Sequence, residues 1–184
     1  MSATGTAWDG SIPTFAWDLD NNGTFETSGQ SATFSAASIV APATFTVKVK
    51  ATDAFGNFSV DEATVNVVYN FNGFFQPVDN LPALNTVKAG QAIPVKFSLN
   101  GNQGLSIFAP SSPGSQQFTC NSGDPVDAIE QTVTAGSSSL SYDETTDTYT
   151  YVWKTDKLWA NTCRQLIVTL NDGTTHIADF NFTK

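Results

Sequence analysis

The chain holds 184 residues, of which 40% are hydrophobic and 12% aromatic but only 14% charged, against about 25% charged in an average soluble domain. Seventeen Asp and Glu against eight Lys and Arg leave a net charge of −9, which repels phosphate backbones and anionic lipid and excludes nucleic acid as a partner. No run approaches the ~18 apolar residues of a membrane span, and Met1-Ser2-Ala3-Thr4-Gly5 lacks the charged and apolar regions of a secretory leader, so a mature fragment is expected.

Turn signals are dense and no segment keeps a helical period, so the elements read as strands. Trp8 falls in a loop beside Asp9-Gly10, where it either stacks on a sugar or covers one end of the fold. Phe15 and Trp17 share one face of the next strand, and Asn22-Gly23 is the preferred pair for a type I′ hairpin turn. Over residues 44–51, Phe45, Val47, Val49 and Ala51 face one way and Thr44, Thr46, Lys48 and Lys50 the other, the pattern of a half-buried strand. Ala63, Val65, Val67 and Tyr69 repeat it and close a first domain over residues 1–69.

Trp17-Asp18-Leu19-Asp20-Asn21-Asn22-Gly23-Thr24-Phe25-Glu26, then Phe45-Thr46-Val47-Lys48-Val49, Thr52-Asp53-Ala54-Phe55-Gly56 and Ala63-Thr64-Val65-Asn66-Val67 resemble the polycystic kidney disease (PKD) domain. The resemblance implies an immunoglobulin-like sandwich used as a spacer in bacterial secreted and surface proteins, in some members calcium-bound. Family members begin with a further strand ahead of the Ser2-Ala3-Thr4-Gly5 position, so an open edge is expected, and with it self-association or pairing with another chain.

Asp18, Asp20 and Asn22 followed by Gly23 reproduce the alternating oxygen donors and glycine bend of a calcium loop, with the Thr24 carbonyl and Glu26 as added ligands. An EF-hand is excluded, because Gly29 stands where its bidentate glutamate belongs and no helices flank the loop. The same residues also serve any tight hairpin through side-chain to backbone bonds. Both readings, calcium and plain turn, stand at this point.

A second domain is expected over residues 70–184. Ile93, Val95, Phe97 and Leu99 alternate, with Pro94 confined to an edge position because it lacks an N–H. Asp143 to Asp147 turns the chain between Leu140–Tyr142 and Tyr149–Trp153, and Asp172-Gly173 joins Leu166–Leu170 to His176–Phe182. Cys120 and Cys163 lie at the ends of two candidate strands, and the single His176 cannot complete a zinc site with them. A disulfide and an oxidising compartment follow. Phe71-Asn72-Gly73-Phe74-Phe75-Gln76-Pro77, Ile93-Pro94-Val95-Lys96-Phe97, Tyr151-Val152-Trp153-Lys154-Thr155 and Thr162-Cys163-Arg164-Gln165-Leu166 resemble the PxKF domain of bacterial secreted proteins, from which no biochemical activity carries over.

Tyr149, Tyr151 and Trp153 share a strand face, and Trp159 follows in a loop. Such a row is either core or a stacking platform for polysaccharide. Catalysis lacks its parts: one histidine, no thiol left free by the expected disulfide, and no Gly-x-Ser-x-Gly elbow. The sequence therefore predicts two tandem immunoglobulin-like antiparallel β-sandwiches acting as a non-enzymatic, extracellular or cell-surface accessory module. Carbohydrate binding through Trp8, Trp159, Tyr149, Tyr151 and Trp153, and strand-exchange assembly, are the alternatives.

Overall fold

Side-chain alternation sets which face of each strand is buried, and in the computed structural model, which describes residues 1–136 and 139–184, it organises two units, Met1–Val67 and Val68–Lys184. In the first, β1 (Thr14–Asp18), β2 (Thr27–Ser28), β3 (Ala43–Thr52) and β4 (Phe58–Val67) form one antiparallel sheet in the order β2-β1-β3-β4. Trp17 stands opposite Val49, Phe15 opposite Ala51 and Val47 opposite Ala63, so the apolar residues of three strands share a face. Phe15, Trp17 and Val47 are buried there, and the Trp17 indole donates to the Gly29 carbonyl at 2.8 Å. The other face carries Lys48 and Lys50, with the Lys50 ammonium 4.8 Å from the centre of the Phe25 ring.

Chain without regular strand structure covers part of the apolar face: Met1–Thr6, tied by an isolated Ser2–Ser31 bridge, and Phe34, whose ring meets Phe45 at 5.3 Å. A groove of about 650 Å³ remains, bordered by Phe15, Trp17, Val47, Val49 and Asp61. The outer side of β4 pairs with no strand among the described residues. The strand expected to close at Tyr69 closes instead at Val67. Tyr69 belongs to the second unit because its side chain is buried and its N–H donates to Asp172 Oδ2 at 2.7 Å.

The second unit holds two five-stranded sheets. One joins β5 (Phe74–Phe75), β7 (Ala92–Phe97), β10 (Val133–Thr134), β11 (Ser141–Asp143) and β12 (Thr148–Lys154); the other joins β6 (Leu84–Lys88), β8 (Gly114–Phe118), β9 (Glu130–Gln131), β13 (Thr162–Thr169) and β14 (Thr175–Thr183). All pairings are antiparallel except β6 with β14. The inner faces supply Ile93, Val95 and Phe97 from β7, Tyr149, Tyr151 and Trp153 from β12, Leu166 and Val168 from β13, and Ala178, Phe180 and Phe182 from β14, all buried. Pro94 is tolerated because β5 reaches only as far as Lys96, leaving no strand on that side of it.

Cys120 and Cys163 are bonded, with Cα atoms 5.2 Å apart, and tie the end of β8 to its neighbour β13. Both cysteines being consumed, thiol labelling of the unfolded, unreduced protein is expected to find no thiols, and two would contradict the structure. Replacing both by serine releases a loop closed across 43 residues and is expected to lower stability by roughly 2–5 kcal/mol in a denaturant titration.

Asp147, at the β11–β12 turn, accepts from Ser98 Oγ, the Gly101 N–H and the Tyr142 hydroxyl. The Ser98 and Tyr142 bonds hold its carboxyl below the ordinary carboxylate range, while the bond to Asp147 pushes the Tyr142 phenol up to about 12. Stability from a carboxyl whose pKa is lower in the folded state is complete above its unfolded value near ~3.9 and is lost as pH falls through the folded value. Asp147→Asn is therefore expected to reduce stability at neutral pH, flatten the acid limb of thermal melts, and return the Tyr142 titration, followed by ultraviolet absorbance, toward ~10.

Candidate functional site

Two places gather chemically capable side chains. The first is the turn after β1. Asp18 is buried, and its two oxygens accept the Asn22 N–H at 3.1 Å and the Gly23 N–H at 2.9 Å. Burial raises its pKa, but the Gly23 and Asn22 N–H groups outweigh that effect and the carboxyl stays charged below the ordinary range. Carboxylate oxygens of Asp18, Asp20 and Glu26 lie within 4.8 Å of one another. The Asn22 side-chain amide donates to Asp20 Oδ2 at 2.9 Å and Glu26 Oε1 at 3.1 Å, so its NH₂ sits between two of these carboxylates.

Of the five residues expected to bind calcium, the fold thus converges three. Asn22 turns its nitrogen to the acids because its oxygen is already held by the Thr24 N–H at 2.7 Å. Thr24 enters the network through that N–H.

The second place is the end of the second unit's core. Tyr149, Tyr151 and Trp153 do not form an exposed platform. They are at most 5% exposed, because they face the second sheet, where Trp153 meets Phe180 edge-on at 5.3 Å and Phe182 at 5.9 Å. The polysaccharide reading of these three is corrected to core. The Trp153 Nε1–H finds no partner among the described residues.

Trp159 ends the short 3-10 helix Lys157–Trp159, which Asp156 caps by accepting the Leu158 N–H at 2.9 Å. Its ring packs on Trp153 at 5.7 Å and Phe182 at 5.5 Å, and the Arg164 guanidinium lies 4.4 Å over it. Arg164 is buried, donates from Nε to Ser115 Oγ at 3.1 Å, and pairs with Glu130 at 3.0 Å and Asp127 at 3.4 Å. Burying an arginine is favourable only when its donors are satisfied in this way. The part of Trp159 that stays accessible borders a cavity of about 380 Å³ with Lys154, Thr155, Lys157, Gln131 and Glu130. Arg164 shares strand parity with Leu166 and Val168, both inward-facing, although its charge alone points to an exposed position. That parity was the available signal.

Trp8 stands fully in solvent on the Ala7–Ser11 turn, where Asp9 accepts the Ser11 N–H and hydroxyl. His176 is stacked on Phe71 at 3.6 Å between ring centres and shares a hydrogen bond with Thr174; burial lowers its pKa, against the opposing charge of Asp172. A histidine packed flat against a phenyl ring serves as a structural residue.

No protein-family model matches the chain, and neither does any characterised protein. Among solved structures, the chain is similar to a Bacteroides ovatus protein, the mixed-linkage glucan utilization locus SGBP-B in complex with a mixed-linkage heptasaccharide, at 13% identity and a TM-score of 0.25. The match covers 98% of this chain and 40% of that one, so the chain spans two fifths of that protein's length. At this TM-score the likeness carries no argument about ligand or role.

Proposed function

We propose that the chain is a non-enzymatic accessory module of a secreted or surface protein, and that it contacts polysaccharide through the cavity beside Trp159. The observation carrying this reading is the cavity itself: a partly accessible indole in a wall that, apart from Val133 and Gly90, is made of hydroxyl, amide and charged groups. Sugar sites combine these two features, an aromatic surface for the C–H face of a pyranose and polar groups for its hydroxyls. Trp8, exposed on both faces, supplies a second contact in the first unit. The Cys120–Cys163 bond supports an oxidising, extracellular setting. No helix among the described residues is long and apolar enough to cross a membrane. The structural packing of His176 and the use of both cysteines in the disulfide support the non-enzymatic part.

Retention on a panel of insoluble polysaccharides is expected, with Trp159→Ala losing it and Trp8→Ala weakening it. A protein that passes every matrix unretarded would overturn the glycan reading.

We also propose calcium as a structural ion of the first unit. Three converging carboxylates fit a hard divalent cation, since calcium takes oxygen ligands at ~2.3–2.6 Å and completes its shell with water, and the Asn22 amide would have to swing away from Asp20 and Glu26. The ion would neutralise three clustered negative charges and hold the turn. Millimolar calcium is expected to raise the melting temperature of the first unit over that in chelator. Asp20→Asn with Glu26→Gln, which leaves the Asp18 bonds to the turn in place, should abolish the difference. Equal melting of the unaltered chain in both conditions would leave a plain hairpin turn.

A further inference from the structure

The cavity beside Trp159 has an electrostatic character unlike the rest of the chain. Against a net charge of −9 and only eight Lys and Arg, two lysines, Lys154 and Lys157, stand together on its wall. Neither ammonium makes a hydrogen bond or ion pair within 4.0 Å among the described residues. Of the nearby acids, Glu130 Oε2 is held by Arg164 at 3.0 Å, and one oxygen of Asp156, Oδ1, accepts the Leu158 N–H at 2.9 Å. Asp127 is likewise drawn to Arg164, at 3.4 Å. Formal charges of the cluster, Lys154, Lys157 and Arg164 against Asp127, Glu130 and Asp156, cancel, but Asp127 and Glu130 are paired with Arg164, and the two ammoniums have no acid within ion-pair distance among the described residues.

The position of Lys157 is built rather than incidental. Gly90, at φ +83°, lines the same cavity, and a Cβ on it would fall 2.5 Å from Lys157 Cγ. Gly90 therefore both permits the left-handed turn between β6 and β7 and leaves room for the lysine stem to lie across it. Lys154 is set by the ladder, opposite Val133 on one side and Ala92 on the other. Trp159 completes the wall, fixed from behind by Arg164 and Trp153.

We propose that this cavity selects acidic sugars, the uronate residues of a polysaccharide, with the carboxylate between Lys154 and Lys157 and the sugar ring against Trp159 and the neighbouring Gln131 and Thr155. This rests on the glycan reading and narrows it to a chemical class. An isolated carboxylate would need only the ammoniums; the adjoining indole and hydroxyl-matching groups call for a ring bearing hydroxyls as well. The chain's overall negative charge does not forbid such a ligand, since exposed charges farther than the ~8 Å Debye length at physiological salt are largely screened, and at the cavity Glu130 is paired with Arg164 while Lys154 and Lys157 have no acid partner within ion-pair distance among the described residues.

The experiment compares the full chain's affinity for polygalacturonic acid and for its methyl ester, two polymers that share a backbone and differ in the carboxylate. The acid form is expected to bind at least about tenfold more tightly. Lys154→Gln with Lys157→Gln should erase that preference, and Lys154→Arg with Lys157→Arg should keep it; both pairs lie on the exposed surface, and unchanged melting would show that the fold is intact. Gly90→Ala should also reduce the preference by displacing Lys157. Equal affinity for acid and ester, or retention on neutral polysaccharides only, would overturn this inference while leaving the glycan reading standing. Failure to bind any polysaccharide in the wider panel would overturn both.

Discussion

The buried row of Tyr149, Tyr151 and Trp153, in which Trp153 packs edge-on against Phe180 and Phe182, Tyr151 against Phe108 and Tyr149 on Phe97, is the feature on which the second unit depends. Aromatic side chains of this size each remove some 150–250 Å² from water and gain a further ~0.5–1.5 kcal/mol per well-placed ring pair. The consequence reaches beyond the core, because Trp153 is also the surface on which Trp159 rests, and Trp159 in turn receives the Arg164 guanidinium. Arg164 then fixes Ser115, Asp127 and Glu130. One buried strand face thus determines where the accessible indole and the polar wall of the cavity lie.

The first unit is organised differently. Its sheet has an apolar face of the same kind, with Phe15, Trp17 and Val47 at the centre, but the covering layer is irregular chain and leaves a groove. Stability there falls more heavily on local turn chemistry. Asp18 binds two backbone N–H groups of its turn, and Asp53 does the same for Phe55 and Asn57 in the next connection. Carboxylates used this way are structural first, and any cation at Asp18, Asp20 and Glu26 acts on a turn already formed.

Much of this was legible in the sequence, for identifiable reasons. Alternation over residues 44–51 placed Phe45, Val47, Val49 and Ala51 on one face because a strand's period of two leaves no freedom once one face is buried. The Cys120–Cys163 bond was legible because two cysteines and a single histidine are too few ligands for a zinc site, which leaves a disulfide as their use. The fate of the Tyr149 row was not, since core and platform differ only in whether a second sheet covers the face, and that sheet is assembled from strands on both sides of β12 in the chain, which strand alternation does not reveal. The same holds for Trp159, whose surroundings are set by Arg164 and Ser115 from other strands. In the Asp18 loop the residue types were right, but spacing alone does not say which end of the Asn22 amide faces the acids. Competition from the Thr24 N–H decided it.

Of the four tryptophans of the chain, Trp159 is the one proposed to meet a saccharide in the second unit. The most direct measurement is a nuclear magnetic resonance titration of the indole N–H signals with an acidic oligosaccharide. A saturable shift of the Trp159 signal, with the buried Trp17 and Trp153 signals unmoved, is the result the account predicts. Saturation with the Trp159 signal unmoved would contradict it.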